Sequence, residues 1–134
     1  MANNKEDLKV LQKCYDMILY GYTALRQYPK SEKHTLAAET KRSMYELLKL
    51  IIRANKRYYK KTTLQDIDIE LDNLRYLVRL GNGLGFLPFK KYENWSRLLD
   101  ELGKMIGGWM KSMKRQQKKD RDYFRPLLYL LIKS

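Results

Sequence analysis

The only histidine of the chain, His34, lies in the stretch Tyr28-Pro-Lys-Ser-Glu-Lys-His-Thr-Leu36, three residues after Ser31. An imidazole near a serine hydroxyl is the raw material of base-assisted nucleophilic attack. That chemistry also needs a third group to orient the base, and nothing in the spacing supplies one. A di-iron bundle draws Glu-x-x-His from each of two helices, so a single histidine excludes it as written. The same residues read better as a corner between two helices. Pro29 turns the preceding residue away from helical geometry and closes the first helix. Ser31 is placed to cap the next, with Glu32 in its first turn where the helix dipole favours a carboxylate. The third residue after Ser31 is His34 and not Glu or Gln, so no reciprocal capping box forms. We assign no catalytic residue, no metal ligand and no cofactor, and expect no enzyme.

Three other sets could carry chemistry. Asp66, Asp68, Glu70 and Asp72 alternate at every second position, which spreads them around a helix and does not converge them like an acid–base pair or a calcium loop. They read as dipole stabilisation at a helix start plus salt bridges to basic helices. Gly81-Asn82-Gly83-Leu84-Gly85 lacks both the G-x-G-x-x-G spacing and a Gly-Lys-Ser/Thr ending, and it follows a helix. It reads as a helix stop. Cys14 stands alone, which excludes an internal disulfide and a cysteine-rich zinc site and fits a reducing compartment.

The elements that position these residues follow from apolar spacing. Leu8, Leu11, Tyr15, Ile18, Tyr22 and Leu25 step by 3, 4, 3, 4 and 3, one stripe of a first helix. A second helix, from about Glu32 to Tyr59, carries Ala37, Thr40, Met44, Leu47, Ile51, Ala54 and Tyr58, widened by Leu48 and Ile52. A third, from about Leu64 to Leu84 with Thr63 as N-cap, carries Leu64, Ile67, Leu71, Leu74 and Val78, extended by Leu77 and Leu80. A fourth, from about Tyr92 to Arg115, carries Tyr92, Trp95, Leu99, Leu102, Ile106, Trp109 and Met113. Trp95 and Trp109 are expected as packing anchors. Gly103 and Gly107 share a face that admits a close helix, either in the core or at a subunit contact. No segment sustains a period of two. The predicted fold is all-α: an antiparallel up-down four-helix bundle over 1–115, crossing in the left-handed sense that a seven-residue repeat implies. Residues 116–134 differ, with a charged run followed by an apolar one, and form a basic/apolar tail that docks on the bundle, covers a partner, or stays mobile until bound.

Charge speaks about partners. With 28 Lys and Arg against 15 Asp and Glu, the net charge is +13, whereas solubility of a small domain needs only about 2 to 8 units. Arg42, Lys49, Arg53, Lys56 and Lys60 step along one face of the second helix, away from Met44, Leu47 and Ile51. With Arg57, these are the first candidates for phosphate contacts; Arg75, Arg79, Lys104 and Lys111 are the second. Binding would follow the backbone and shape of a nucleic acid, since no base-reading module is present. The alternative is a basic adaptor that meets an acidic protein and touches no nucleic acid. A third reading, attachment to anionic membranes through the tail and Leu127 to Ile132, is weaker. No apolar run approaches the ~20 residues that span a bilayer, and the N-terminal segment lacks a signal-type apolar stretch. The expectation is a soluble protein of the cytoplasm with no membrane partner.

Four segments together carry a resemblance: the corner Tyr28-Pro-Lys-Ser-Glu-Lys-His-Thr-Leu36, Leu71-Asp-x-Leu74, Tyr92-Glu-x-Trp95, and Glu101-Leu-Gly-Lys-Met-Ile-Gly-Gly-Trp-Met-Lys-Ser112. Over roughly residues 8 to 115 the chain resembles the accessory variability determinant proteins of diversity-generating retroelements, a family also similar to the four-helix proteins of ribosomal RNA intervening sequences. The resemblance implies a four-helix bundle assembling into a basic homopentameric barrel. It further implies binding to template RNA or an RNA–DNA hybrid, association with the retroelement reverse transcriptase, support of mutagenic cDNA synthesis, and no polymerase activity of its own.

Overall fold

The computed structural model describes residues 5–133. Four helices follow one another, α1 (Lys5–Leu25), α2 (Leu36–Lys56), α3 (Lys61–Gly83) and α4 (Phe89–Lys133), with a 3-10 turn (Lys30–Glu32) between α1 and α2. No strand occurs among the described residues. Each helix packs on its neighbours in the chain and α4 closes on α1, while the diagonal pairs α1–α3 and α2–α4 stay apart. The cross-contacts give the register. Lys13 meets Glu101 while Gly21 lies under Trp95, so α1 and α4 run in opposite directions. Arg75 meets Asp100 and Leu71 lies beside Gly103, so α3 and α4 do likewise. Short connectors leave adjacent helices no other choice.

The core is one layer system drawn from all four helices. The expected stripes of the second, third and fourth helices are its substance: Met44, Leu47, Ile51, Ile67, Leu74, Trp95 and Leu102 are fully enclosed. Three members fall outside it: Ile52 and Leu80 are exposed at the stripe edges, and Tyr58 lies beyond the end of α2 and is exposed.

In α1 the expected stripe is rotated. Leu8 and Tyr15 are 51% and 53% exposed, and the buried positions are Val10, Cys14, Met17, Ile18, Ala24 and Leu25. Both stripes obey the same 3–4 spacing, so periodicity could not separate them. Space decided it. A Cβ on Gly21 would lie 2.6 Å from Met44 Sδ and 2.8 Å from Trp95 Cζ2, so the absence of a side chain at this position lets α1 settle onto α2 and α4.

The element ends also differ from expectation. Ser31 does not cap α2; it sits inside the 3-10 turn, and α2 begins after Thr35, whose hydroxyl donates instead to Glu32 Oε2 at 2.6 Å. Thr63 is not the cap of α3 either: the helix starts two residues earlier, and Thr63 is buried within it. Gly81 and Gly83 remain helical, and the chain reverses at Gly85, whose φ of 81° only glycine adopts without strain. Phe86 and Leu87 then both donate their N–H groups to the Gly81 carbonyl.

The largest departure is the length of α4. It does not stop near Arg115 but continues through the charged run, Pro126 and the apolar run to Lys133. At 1.5 Å per residue its 45 residues reach about 68 Å, roughly twice the other helices. Beyond Met113 every described side chain is exposed, so this extension does not dock on its own bundle.

Candidate nucleic-acid interface

The α2 row divides once side chains are placed. Lys49, Arg53, Lys56 and Arg57 are exposed and make no salt bridge among the described residues. Their 3–4 spacing keeps the three helical members on one outward face. Arg57 follows the last turn, its N–H donating to the Arg53 carbonyl at 3.1 Å. Arg42, at the far end of the row, is already engaged by Glu39 one turn back.

Lys60 does not belong to this surface. It is 7% exposed, and its ammonium donates to the Ala54 carbonyl and lies over the Trp109 ring at 5.8 Å. The last carbonyls of a helix lack intrahelical partners and carry the negative end of its dipole. Lys60 closes α2, a structural role that leaves no ammonium for a phosphate.

Arg75 is likewise occupied. Its guanidinium bridges Asp72 at 3.0 Å and Asp100 at 3.5 Å, tying α3 to α4. Gly103 is what admits it: a methyl group there would collide with the Arg75 guanidinium and approach Leu71. Arg79 is exposed over the Tyr76 ring at 6.0 Å. Lys104 and Lys111 are exposed on α4 without a salt bridge among the described residues. Because α2 and α4 are diagonal, Lys104 does not share a surface with the α2 row.

The acidic set behaves differently from its expected role. Glu70 accepts from Ser43 of α2 at 2.6 Å and from Asn73, and Asp72 pairs within α3. Asp66 and Asp68 make no salt bridge to any basic helix among the described residues. These four carboxylates therefore form no salt bridge with Lys49, Arg53, Lys56 or Arg57 among the described residues.

Sequence reasoning missed two cations. Lys61 and Lys114 line one cleft with Met110 and Met113, where the start of α3 meets the outgoing part of α4. For Lys61 the cue was the run Lys56-Arg57-Tyr58-Tyr59-Lys60-Lys61, in which basic and aromatic residues adjoin.

The remaining ionisable groups are structural. Burial pushes the Cys14 thiol and the Tyr28 hydroxyl each up to about 12. Lys13, donating to Glu101 at 2.8 Å, holds that carboxyl below its ordinary value, helped by Arg97. His34 is exposed in the turn before α2 and shares no hydrogen bond with Ser31 among the described residues. No group of His, Cys, Asp and Glu able to hold a metal ion occurs among the described residues. No helix among them is long and apolar enough to cross a membrane.

Four antiparallel helices presenting a row of exposed cations define a basic all-α protein of the four-helix type. The chain matches the bAvd-like family over residues 8–113 and belongs to that family, the accessory variability determinant family. It is a family of accessory proteins and not a known enzyme class, and membership points to a role in a diversity-generating retroelement. A search of the curated proteins finds no match.

Proposed function

We propose that this protein is a non-enzymatic accessory factor that holds template RNA, or an RNA–DNA hybrid, against the reverse transcriptase of a diversity-generating retroelement during mutagenic cDNA synthesis in the cytoplasm. The observation that carries the reading is the row Lys49, Arg53, Lys56 and Arg57, exposed and without a salt bridge among the described residues, on a chain of net charge +13. Cations so placed release counterions when they meet phosphates, which gives affinity without sequence preference. The bundle supplies rigidity. Assembly of several subunits, five by family likeness, multiplies weak contacts into avidity. The exposed apolar residues Leu8, Tyr15 and Leu19 on α1, and the open space around Gly107 and Gly108, support such a contact between copies. The tail, residues 116–134, acts as a contact segment outside the bundle.

Charge reversal at Arg53 and Lys56 tests the reading. The double variant should lose RNA binding in a filter assay while its melting temperature stays put. Unchanged RNA binding together with lost capture of the reverse transcriptase would establish the adaptor reading in its place.

A further inference from the structure

Two rings stand out in the connector between α2 and α3. Tyr58 and Tyr59 are 68% and 83% exposed, at the point where the chain leaves one helix and enters the next. They meet edge to face, with centroids 4.9 Å apart and planes at 81°. This geometry uses the edge of one ring against the face of the other and leaves an outer face open to solvent. The connector is not free to fold the rings away. On one side Arg57 is bonded back to Arg53, and on the other Lys60 is pinned by Ala54 and Trp109. The connector is thus anchored on both sides, and the two rings between the anchors stand exposed.

Their surroundings are cationic. Lys56, Arg57 and Lys61 flank them in the chain, all exposed and without a salt bridge among the described residues. Both rings border a cleft of about 350 Å³ whose far wall is α4, at Met113, Gln116, Gln117 and Asp120. The one carboxylate there accepts from Gln116 Nε2 at 3.0 Å. The Gln117 amide adds a group able to donate to or accept from a base edge.

We propose that this cleft is a stacking site for an unpaired nucleobase, so that single-stranded RNA is the form this end of the bundle takes. The inference rests on the nucleic-acid reading above and deepens it. Every base has a π-face, but a duplex hides it; only an unpaired base can lie on an exposed tyrosine while neighbouring cations hold its phosphates. The α2 row supplies charge without regard to strandedness, and the rings add the discrimination.

The test compares a single-stranded RNA with a duplex of the same length, on wild type and on Tyr58→Ala, Tyr59→Ala and Tyr59→Phe. Each Ala variant should lose about tenfold in single-strand affinity with less than about twofold change on the duplex. Tyr59→Phe keeps the ring and should bind as wild type. The slope of affinity against salt should not move, since no cation is removed. Equal losses on both forms, or no loss on either, would overturn the stacking site while leaving phosphate binding intact. Failure of the wild type to bind either form at low salt would remove both the site and the nucleic-acid reading on which it rests.

Discussion

Replacing Lys60 by Met separates a phosphate-binding role from a structural cap. The stem length is kept and the charge removed. A hydrogen bond from a charged donor contributes about 1.5 to 3 kcal/mol, and a cation at a helix C-terminus adds about 0.3 to 1. Against this, a thioether is easier to bury than an ammonium, which returns part of the loss. With the group 7% exposed, solvent screening is small. A net loss of roughly 1 to 3 kcal/mol is expected. At about 3 to 4 °C per kcal/mol for a chain of this size, the melting temperature should fall by about 3 to 12 °C. RNA affinity measured well below the transition should keep the wild-type salt slope. Calorimetry and filter binding on the same preparation decide the matter. An unchanged melting temperature with a slope shallower by about 0.7, the value for a single phosphate on an unpaired strand, would refute the cap and restore Lys60 to the binding surface.

Other outcomes follow from the core and the helix ends. Cys14 should resist alkylation in the native protein and react readily in urea, because its buried thiol stays protonated. Burial raises both Cys14 and Tyr28 to about 12, so the unfolded chain gives up those protons first. Their stabilisation is complete below about pH 9 and falls as pH rises toward 12, by up to about 1.4 kcal/mol per pH unit for each group; urea midpoints measured across that window should fall. A methyl group at Gly81 would overlap the Tyr28 hydroxyl, and that ring is held against Phe86 at 5.8 Å. Gly81→Ala should therefore destabilise by about 1 to 3 kcal/mol, whereas Gly107→Ala, with nothing within 4 Å, should stabilise the monomer by up to about 1 kcal/mol. Truncation after Arg115 removes side chains that are all exposed among the described residues and should leave a cooperative melt within a few degrees of wild type, as scanning calorimetry would show.

Much of the fold is legible in the sequence because three helices offer one apolar stripe each. In α1 two stripes compete. The outer one, with Leu8 and Tyr15, is the bulkier and reads as core; the inner one, with Cys14, Gly21 and Ala24, is chosen because Met44 and Trp95 leave no more room. That information lies in the partner helices and not in α1. The length of α4 was hidden by the switch at residue 116 from an apolar stripe to a charged run, which reads locally as an end. At the candidate site, periodicity puts Lys49, Arg53 and Lys56 on an outward face, and they are there. It also puts Lys60 in the same row, but α2 ends four residues earlier and the connector turns the side chain inward. Arg75 reads as a surface cation until Asp100, distant in sequence, closes on it. In α1, at Lys60 and at Arg75, the structure departed from expectation through an interaction with another helix.

The central claim is that the α2 cations hold phosphates. It is tested most directly by RNA affinity between about 50 and 200 mM salt, for wild type and for a variant with Gln at Lys49, Arg53, Lys56 and Arg57. Wild-type affinity should fall steeply with salt, and the variant should bind more weakly with a slope shallower by about 0.7 for each phosphate left without its cation. The same slope and affinity in both proteins would contradict it.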